Sequence, residues 1–147
     1  MISTRPFSPT DIPNVIKVVT DSLGESYPPS LYLTVHNLWS EGFIVLVEDG
    51  KIVGFVAAVP SGDKLARILM LAVLSGRRRR AYGSRLMNEL YVNCSRNGMD
   101  TIMLEVRKSN SSAIAFYERH GFSIYGEIKK FYSNGEDAYK MMRVLQT

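Results

Sequence analysis

The chain has 147 residues, 46% hydrophobic and 22% charged, with 18 Lys+Arg against 14 Asp+Glu and a net charge of +4. That length and balance predict one globular domain, residues 1–147, with its own core. The mild basic excess suits anionic ligands without selecting nucleic acid. Cys94 is the only cysteine, and His36 and His120 are the only histidines. This rules out an intrachain disulfide and a cysteine-rich zinc site and argues against a histidine-based metal centre. The N-terminal MISTRPFSPTD lacks the apolar run of a secretory signal, and no stretch approaches the roughly 18 apolar residues of a membrane span. A soluble cytoplasmic protein without membrane contact is expected.

After an N-terminal strand, Thr10-Asp11-Ile12-Pro13 reads as a helix start, a capping oxygen before a first-turn proline. Val15, Ile16, Val18 and Val19 supply that helix's apolar face. Pro28-Pro29 breaks the chain, and Leu31 to Trp39 reads as a second helix. Phe43 to Val47 and Ile52 to Val59 are β-branched and aromatic, and the Asp49-Gly50 between them predicts a hairpin. Ile68 to Val73 reads as a central strand. A helix from Ser84 to about Asn97 presents Leu86, Met87, Leu90 and Cys94 on one face and stops at Gly98. Thr101 to Val106 is the next strand. Ser111 to His120 is a helix with Ala113, Ile114 and Phe116 buried. Phe122 to Phe131 and Ala138 to Val144 are the last strands, separated by Asn134-Gly135. The alternation predicts an α/β (α+β) fold with a mixed sheet and helices on both faces.

The sequence GRRRRAYGSR, residues 76–85, joins a central strand to a helix N-terminus. Backbone N–H groups there are unpaired, the helix dipole adds positive charge, and small residues admit a phosphate. Arg78-x-x-Ala81-x-Gly83 is therefore a candidate pyrophosphate cradle. On charge alone it is equally a solvated run. Tyr82 is the one aromatic interleaved with it, which argues against nucleic acid. Arg77 reaches a further phosphate or simply solvates the loop, and both readings stand.

LEVRKSNSSAIAFYERHGF, residues 104–122, is the more specific segment. Together with the arginine loop it resembles the GNAT superfamily of acetyl-CoA-dependent N-acetyltransferases. The loop is similar to that family's Arg/Gln-x-x-Gly-x-Gly/Ala motif, with Ala81 where the first glycine usually stands. Asn110-x-x-Ala113-x-x-x-Tyr117-x-x-x-Gly121-Phe122 matches its second half, and the resemblance runs from about Arg5 to Leu145. It implies a twisted, mixed but mostly antiparallel sheet of about seven strands. It also implies acetyl-CoA as cosubstrate, with no metal. The implied cofactor-binding residues are Leu71, Ala72, Val73, Arg78, Arg79, Arg80, Ala81, Tyr82, Gly83, Ser84, Asn110 and Tyr117. Within the superfamily, FYSNGEDAYKMMRVL at 131–145, LAV at 71–73, VRKSN at 106–110 and Leu23-x-Glu25-x-Tyr27 resemble the catalytic subunit of the N-terminal acetyltransferase A complex. Glu105, where that subunit typically carries histidine, resembles the bacterial ribosomal-protein alanine acetyltransferase. Both relatives acetylate protein α-amines.

The resemblance thus implies protein or peptide N-termini as substrates, with ribosome association as a further implication and a large auxiliary partner known for the eukaryotic subunit. An α-amine, with a pKa of about 7.7–8.0, needs only a modest base, whereas a lysine near 10.4 is almost wholly protonated. Glu105 is the candidate base, with Glu25 as an alternative or aid, and Tyr117 the candidate donor to the departing sulfur. The Val73 N–H is placed to polarise the thioester carbonyl. Read without the resemblance, Glu105 is a strand carboxylate paired with Arg107 or a lysine, and Tyr117 a packed aromatic. Asn110 caps its helix, bonds the pantetheine arm, or does both. Glu25, Tyr27, Tyr132 and Tyr139 are the candidate substrate-binding residues, though isolated tyrosines of this kind also serve as ordinary strand aromatics. Cys94 reads as a core thiol, His120 as a partner of a helix C-terminal dipole, and His36 has no assigned role. Competing functions are acetylation of lysine or of a small-molecule amine, and a non-catalytic CoA- or nucleic-acid-binding module.

Overall fold

The computed structural model describes residues 1–77 and 81–145. Among these, seven strands form one sheet: β1 (Ile2–Pro6), β2 (Phe43–Glu48), β3 (Lys51–Pro60), β4 (Leu65–Val73), β5 (Thr101–Arg107), β6 (Ser123–Ile128) and β7 (Ala138–Val144). Their order is β1-β2-β3-β4-β5-β7-β6. The β4–β5 pair is parallel and the other neighbours are antiparallel. Four helices, α1 (Ile12–Leu23), α2 (Pro29–Leu38), α3 (Tyr82–Arg96) and α4 (Ser111–Arg119), complete the described fold. None of them is long and apolar enough to cross a membrane.

Local chemistry accounts for much of this. Asp49 and Gly50 both take left-handed φ values, 51° and 81°, the geometry that a two-residue hairpin turn of type I′ requires. The apolar stripe of α3 buries Leu86, Met87, Leu90 and Cys94 completely against Ile44, Leu46, Val56 and Leu104 on one sheet face. At ~1.5–3 kcal/mol for each large apolar side chain removed from water, this stripe fixes which side of α3 faces the sheet. Val15, Val18 and Val19 of α1, with Tyr32 and Val35 of α2, close the opposite face over Phe43, Phe55 and Met70.

Strand β4 changes faces midway. Ala58 pairs with Ile68 and Ala57 with Met70, so the register skips Leu69. Ala66 and Ile68 therefore point toward α3, while Met70 and Ala72 point toward α1. A one-residue bulge inverts every side chain beyond it and bends the strand. Pairing with β5 covers Leu65–Arg67 against Thr101–Met103 and stops there. Beyond the bulge the two strands diverge, and a gap opens between the second half of β4 and β5.

Several boundaries differ from those expected from sequence. Asp11, not Thr10, is the N-cap of α1, and its carboxylate is occupied by the Ser8 N–H at 2.8 Å and the Arg5 guanidinium at 2.8 and 2.9 Å. Helix α2 begins at Pro29 rather than Leu31, because proline at the first helical position forfeits only an N–H that has no helical partner. Trp39 lies beyond that helix in extended backbone. Helix α4 buries none of its residues fully; Ala113, Ile114 and Phe116 are half-buried because the helix borders the gap. Strand β6 ends at Ile128 instead of Phe131. Lys130 turns to φ 53° with its N–H donated to Asp137 Oδ1 at 2.9 Å, which places Phe131 and Tyr132 in a loop.

Candidate active site

The gap leads into a cleft of about 680 Å³ lined by the end of β4 (Leu71, Ala72, Val73), the first turn of α3 (Tyr82, Gly83, Ser84), and Asn110, Phe116, Tyr117 and Arg119 of the α4 segment. Leu74 donates its N–H to the Val53 carbonyl at 2.8 Å across the β3–β4 pair. Because backbone groups alternate direction along a strand, Val73 turns its own N–H and C=O toward the gap. The Ala72 side chain belongs to the core under α1. Ser22 and Leu23 of α1 also line the cleft; Leu23 opens the Leu23-x-Glu25-x-Tyr27 pattern, whereas no sequence motif marked Ser22. Asp21 anchors this corner by accepting the Ser75 N–H at 2.8 Å and its hydroxyl at 3.2 Å.

At the entrance of α3, Ala81 occupies the N-cap in the left-handed region, φ 61°. This is the position where a glycine was expected from the motif. A Cβ there costs roughly 1–2 kcal/mol, of which glycine's greater unfolded freedom returns about 0.4–1 kcal/mol. Ala81→Gly is therefore expected to stabilise the fold by roughly 0.5–1 kcal/mol, a rise of about 2–4 °C in Tm by calorimetry at this chain length. An unchanged or lower Tm would show that the site carries no Cβ strain. Gly83 has a different constraint. A Cβ on it would lie 3.1 Å from Phe116 Cζ, so its small size serves helix packing against α4. Arg78, Arg79 and Arg80 lie outside the described residues.

The neighbouring polar groups are committed elsewhere. The Arg77 guanidinium donates to Glu48, and so does the Tyr82 hydroxyl. Tyr82 thus faces the cleft with its backbone while its phenol anchors the α3 N-terminus to β2. Ser84 Oγ lies 2.9 Å from His120 Nε2. Burial, with Arg143 and Arg119 nearby, pushes His120 below its usual value, so the ring is neutral and does not act as a cation at the end of α4. Arg143 takes that role, donating to the His120 carbonyl at 2.8 Å. The Asn110 side chain accepts from the Ala113 N–H at 3.2 Å, which makes it the cap of α4 and leaves its amide N–H₂ for the cleft. Desolvation raises the Tyr117 phenol well above its ordinary value. Cys94 is fully buried on α3 and pushed up to about 12 by burial, which makes it a packing thiol.

A second group of residues gathers on the α1–α2 side of the sheet. Along β5, Ile102, Leu104 and Val106 face α3, so Glu105 and Arg107 face the other way. Arg107 approaches Glu25 in the α1–α2 connection at 3.7 Å, Glu136 at 3.2 Å and Asn134 at 3.3 Å, and its guanidinium lies 3.9 Å from the centre of the Tyr132 ring. The Tyr27 hydroxyl donates to Glu25, and burial followed by that carboxylate pushes the phenol up to about 12. Glu25, Tyr27 and Tyr132 are thus brought together around Arg107. Tyr139 is not among them. It pairs with Val106 across β5–β7 and shares that residue's face, packed on the α3–α4 side with Lys108 Nζ 5.3 Å from its ring. The two-residue period of the strand separates it from Tyr132.

Glu105 pairs neither with Arg107 nor with a lysine. The Arg67 guanidinium meets its Oε1 through Nε at 3.0 Å and Nη2 at 2.8 Å. Its cross-strand neighbour Lys140 instead holds its ammonium 4.9 Å from the Tyr125 ring centre. Arg67 carries no motif, and 38 positions separate it from Glu105; only the β4–β5 register brings the two together.

Among the described residues no cluster of three or more metal-ligating side chains occurs. The cleft combines exposed strand backbone, a helix N-terminus and a neutral phenol, a donor set fitted to a phosphorylated acyl thioester. Residues 12–122 match the family model described as acetyltransferase (GNAT) family. An N-alpha-acetyltransferase of Saccharolobus solfataricus is 33% identical, over 92% of this chain and 88% of that one. The crystal structure of Ard1 from Thermoplasma volcanium superposes with a TM-score of 0.95 at 37% identity, over 99% of both chains. The ribosomal-protein-S18-alanine N-acetyltransferase of Escherichia coli shares the fold, with a TM-score of 0.87 at 24% identity over 100% of this chain and 96% of that one. The chain belongs to the GNAT family of acetyl-CoA-dependent N-acetyltransferases.

Proposed function

We propose that the protein acetylates the α-amine of polypeptide N-termini by direct attack within a ternary complex. The observation that carries this reading is the Arg107 latch. It joins the Glu25–Tyr27 segment to the Tyr132 loop on the sheet face opposite α3, beside the opening between β4 and β5. The N-alpha-acetyltransferase of S. solfataricus supports it by name.

Acetyl-CoA, held in the cleft, supplies an electrophilic thioester carbonyl. The first-turn N–H groups of α3 hold the pyrophosphate, and the Asn110 amide bonds the pantetheine arm. The Val73 N–H points to where carbonyl charge accumulates. The Glu25 and Glu105 carboxylates receive the substrate amine, which attacks in its neutral form, and take up the one proton released as the N–C bond forms. The Tyr117 phenol donates to the sulfur as the C–S bond breaks. Tyr27 and Tyr132 form the walls that hold the peptide. A free α-amine, with a pKa of about 7.7–8.0, is partly neutral at physiological pH, so carboxylates suffice as proton acceptors.

The test is mass spectrometry of a peptide that begins with serine and carries one internal lysine, incubated with the protein and acetyl-CoA. Acetylation confined to the α-amine is the expected result, followed by a panel of first residues. Acetylation of the lysine instead would move the protein to the lysine-directed class.

A further inference from the structure

We propose that Arg67 is a positioning residue for the transfer: it grips the Glu105 carboxylate by one oxygen and leaves the other to face the incoming amine. This rests on the role given to Glu105 above. Three features of the structure lead to it.

The first is burial. The Glu105 side chain is only 10% exposed, and a carboxylate withdrawn that far from water requires a counter-charge. The second is the form of the contact. Both guanidinium nitrogens converge on Oε1, and among the described residues no polar partner reaches Oε2 within hydrogen-bonding distance. An arginine used purely to neutralise a carboxylate favours the two-oxygen fork. Here one oxygen is fixed and one remains for another donor.

The third is location. Arg67, opposite Met103, is the last β4 residue that pairs with β5, and the bulge at Leu69 follows two residues later. It is therefore the last β4 side chain on this face with β5 alongside, at the point where the strands part. Glu105 stands on the same face of β5, two residues beyond Met103, just past the point where the pairing ends. The remaining charges nearby are otherwise engaged: Arg107 with Glu25 and Glu136, and Lys140 over Tyr125. Arg67 thus does for Glu105 what Arg107 does for Glu25. Each acidic group in the acceptor site is held by its own arginine, which keeps the two from competing for one cation.

The experiment is steady-state kinetics on the full chain, with the serine-first peptide and acetyl-CoA, for Arg67→Lys, Arg67→Met, Glu105→Gln and the double variant Arg67→Met/Glu105→Gln. Arg67→Met is expected to lower kcat on the order of tenfold or more, with KM for acetyl-CoA unchanged. Arg67→Lys should recover much of that loss. The double variant removes both charges, so it folds without a stranded carboxylate, and it should be no slower than Glu105→Gln alone. A wild-type kcat in Arg67→Met beside a slow Glu105→Gln would overturn the clamp while sparing Glu105. Losses that multiply in the double variant would also overturn it, because Arg67 would then act independently. A wild-type rate in Glu105→Gln would remove Glu105 from the mechanism, and the clamp with it.

Discussion

Tyr117→Phe is expected to lower kcat by about two to three orders of magnitude, with KM for acetyl-CoA changed by less than about twofold. The side chain lies on α4 at the cleft, with its ring 5.4 Å from that of Phe116 and 5.6 Å from that of Phe122. Phenylalanine preserves both ring contacts, so the variant removes the hydroxyl and little else. The sign of the pH effect follows from the phenol's environment. Desolvation raises its folded value above the ordinary 10, so the protonated form dominates throughout the range from about pH 6 to 9. A group that does not titrate in that range adds no limb to the rate profile. Tyr117→Phe should therefore depress the whole profile without changing its shape. A profile that loses its alkaline limb would mean that Tyr117 titrates during turnover. Loss of acetyl-CoA binding, read by calorimetry, would reassign it to packing.

Arg107→Met is expected to raise KM for the peptide on the order of tenfold or more while acetyl-CoA binding is retained. The stack on Tyr132 contributes about 0.5–1 kcal/mol, and partly exposed ion pairs of this kind contribute little individually. The larger loss comes from order: one guanidinium holds both the α1–α2 connection and the β6–β7 loop, and without it each must be fixed by the substrate at an entropic cost. Arg107 also holds the Glu136 carboxyl below its ordinary 4.5, aided by Asn134 and Ser109. A depressed carboxyl contributes its stabilisation above the unfolded value and loses it as pH falls through the folded one. The latch is thus closed at neutral pH and should open only in acid below 4.5. Peptide KM measured down to pH 5 should stay flat on this account. An unchanged peptide KM in Arg107→Met would show that neither loop depends on the latch.

Sequence reasoning reached the parts of this protein that local chemistry fixes. Asp49-Gly50 specifies its own hairpin because left-handed backbone is cheap for those residues. The α3 stripe specifies its buried face because helical periodicity is a property of one segment. Asn110 caps α4 across three residues, and the motif around Ala81 and Gly83 marks the start of α3. What lay beyond reach depends on contacts between distant segments. Whether a strand residue faces one side of the sheet or the other depends on register, and a single bulge at Leu69 reverses it. The β5–β7 register in turn sets Tyr139 on the face of Val106, away from Tyr132, although the two tyrosines look alike in sequence. Residues up to Phe131 read as strand until Asp137 takes the Lys130 N–H and β6 ends at Ile128. Arg67 has no signature at all: its partner is Glu105 because β4 and β5 run in parallel for three residues and then part. The amino-acid sequence by itself determined most of the elements and the family, and it marked the candidates for the groups that bind and react. The tertiary structure decided which of those groups share a face and which charge answers which, because ion pairs and strand faces are set by register and packing over tens of residues.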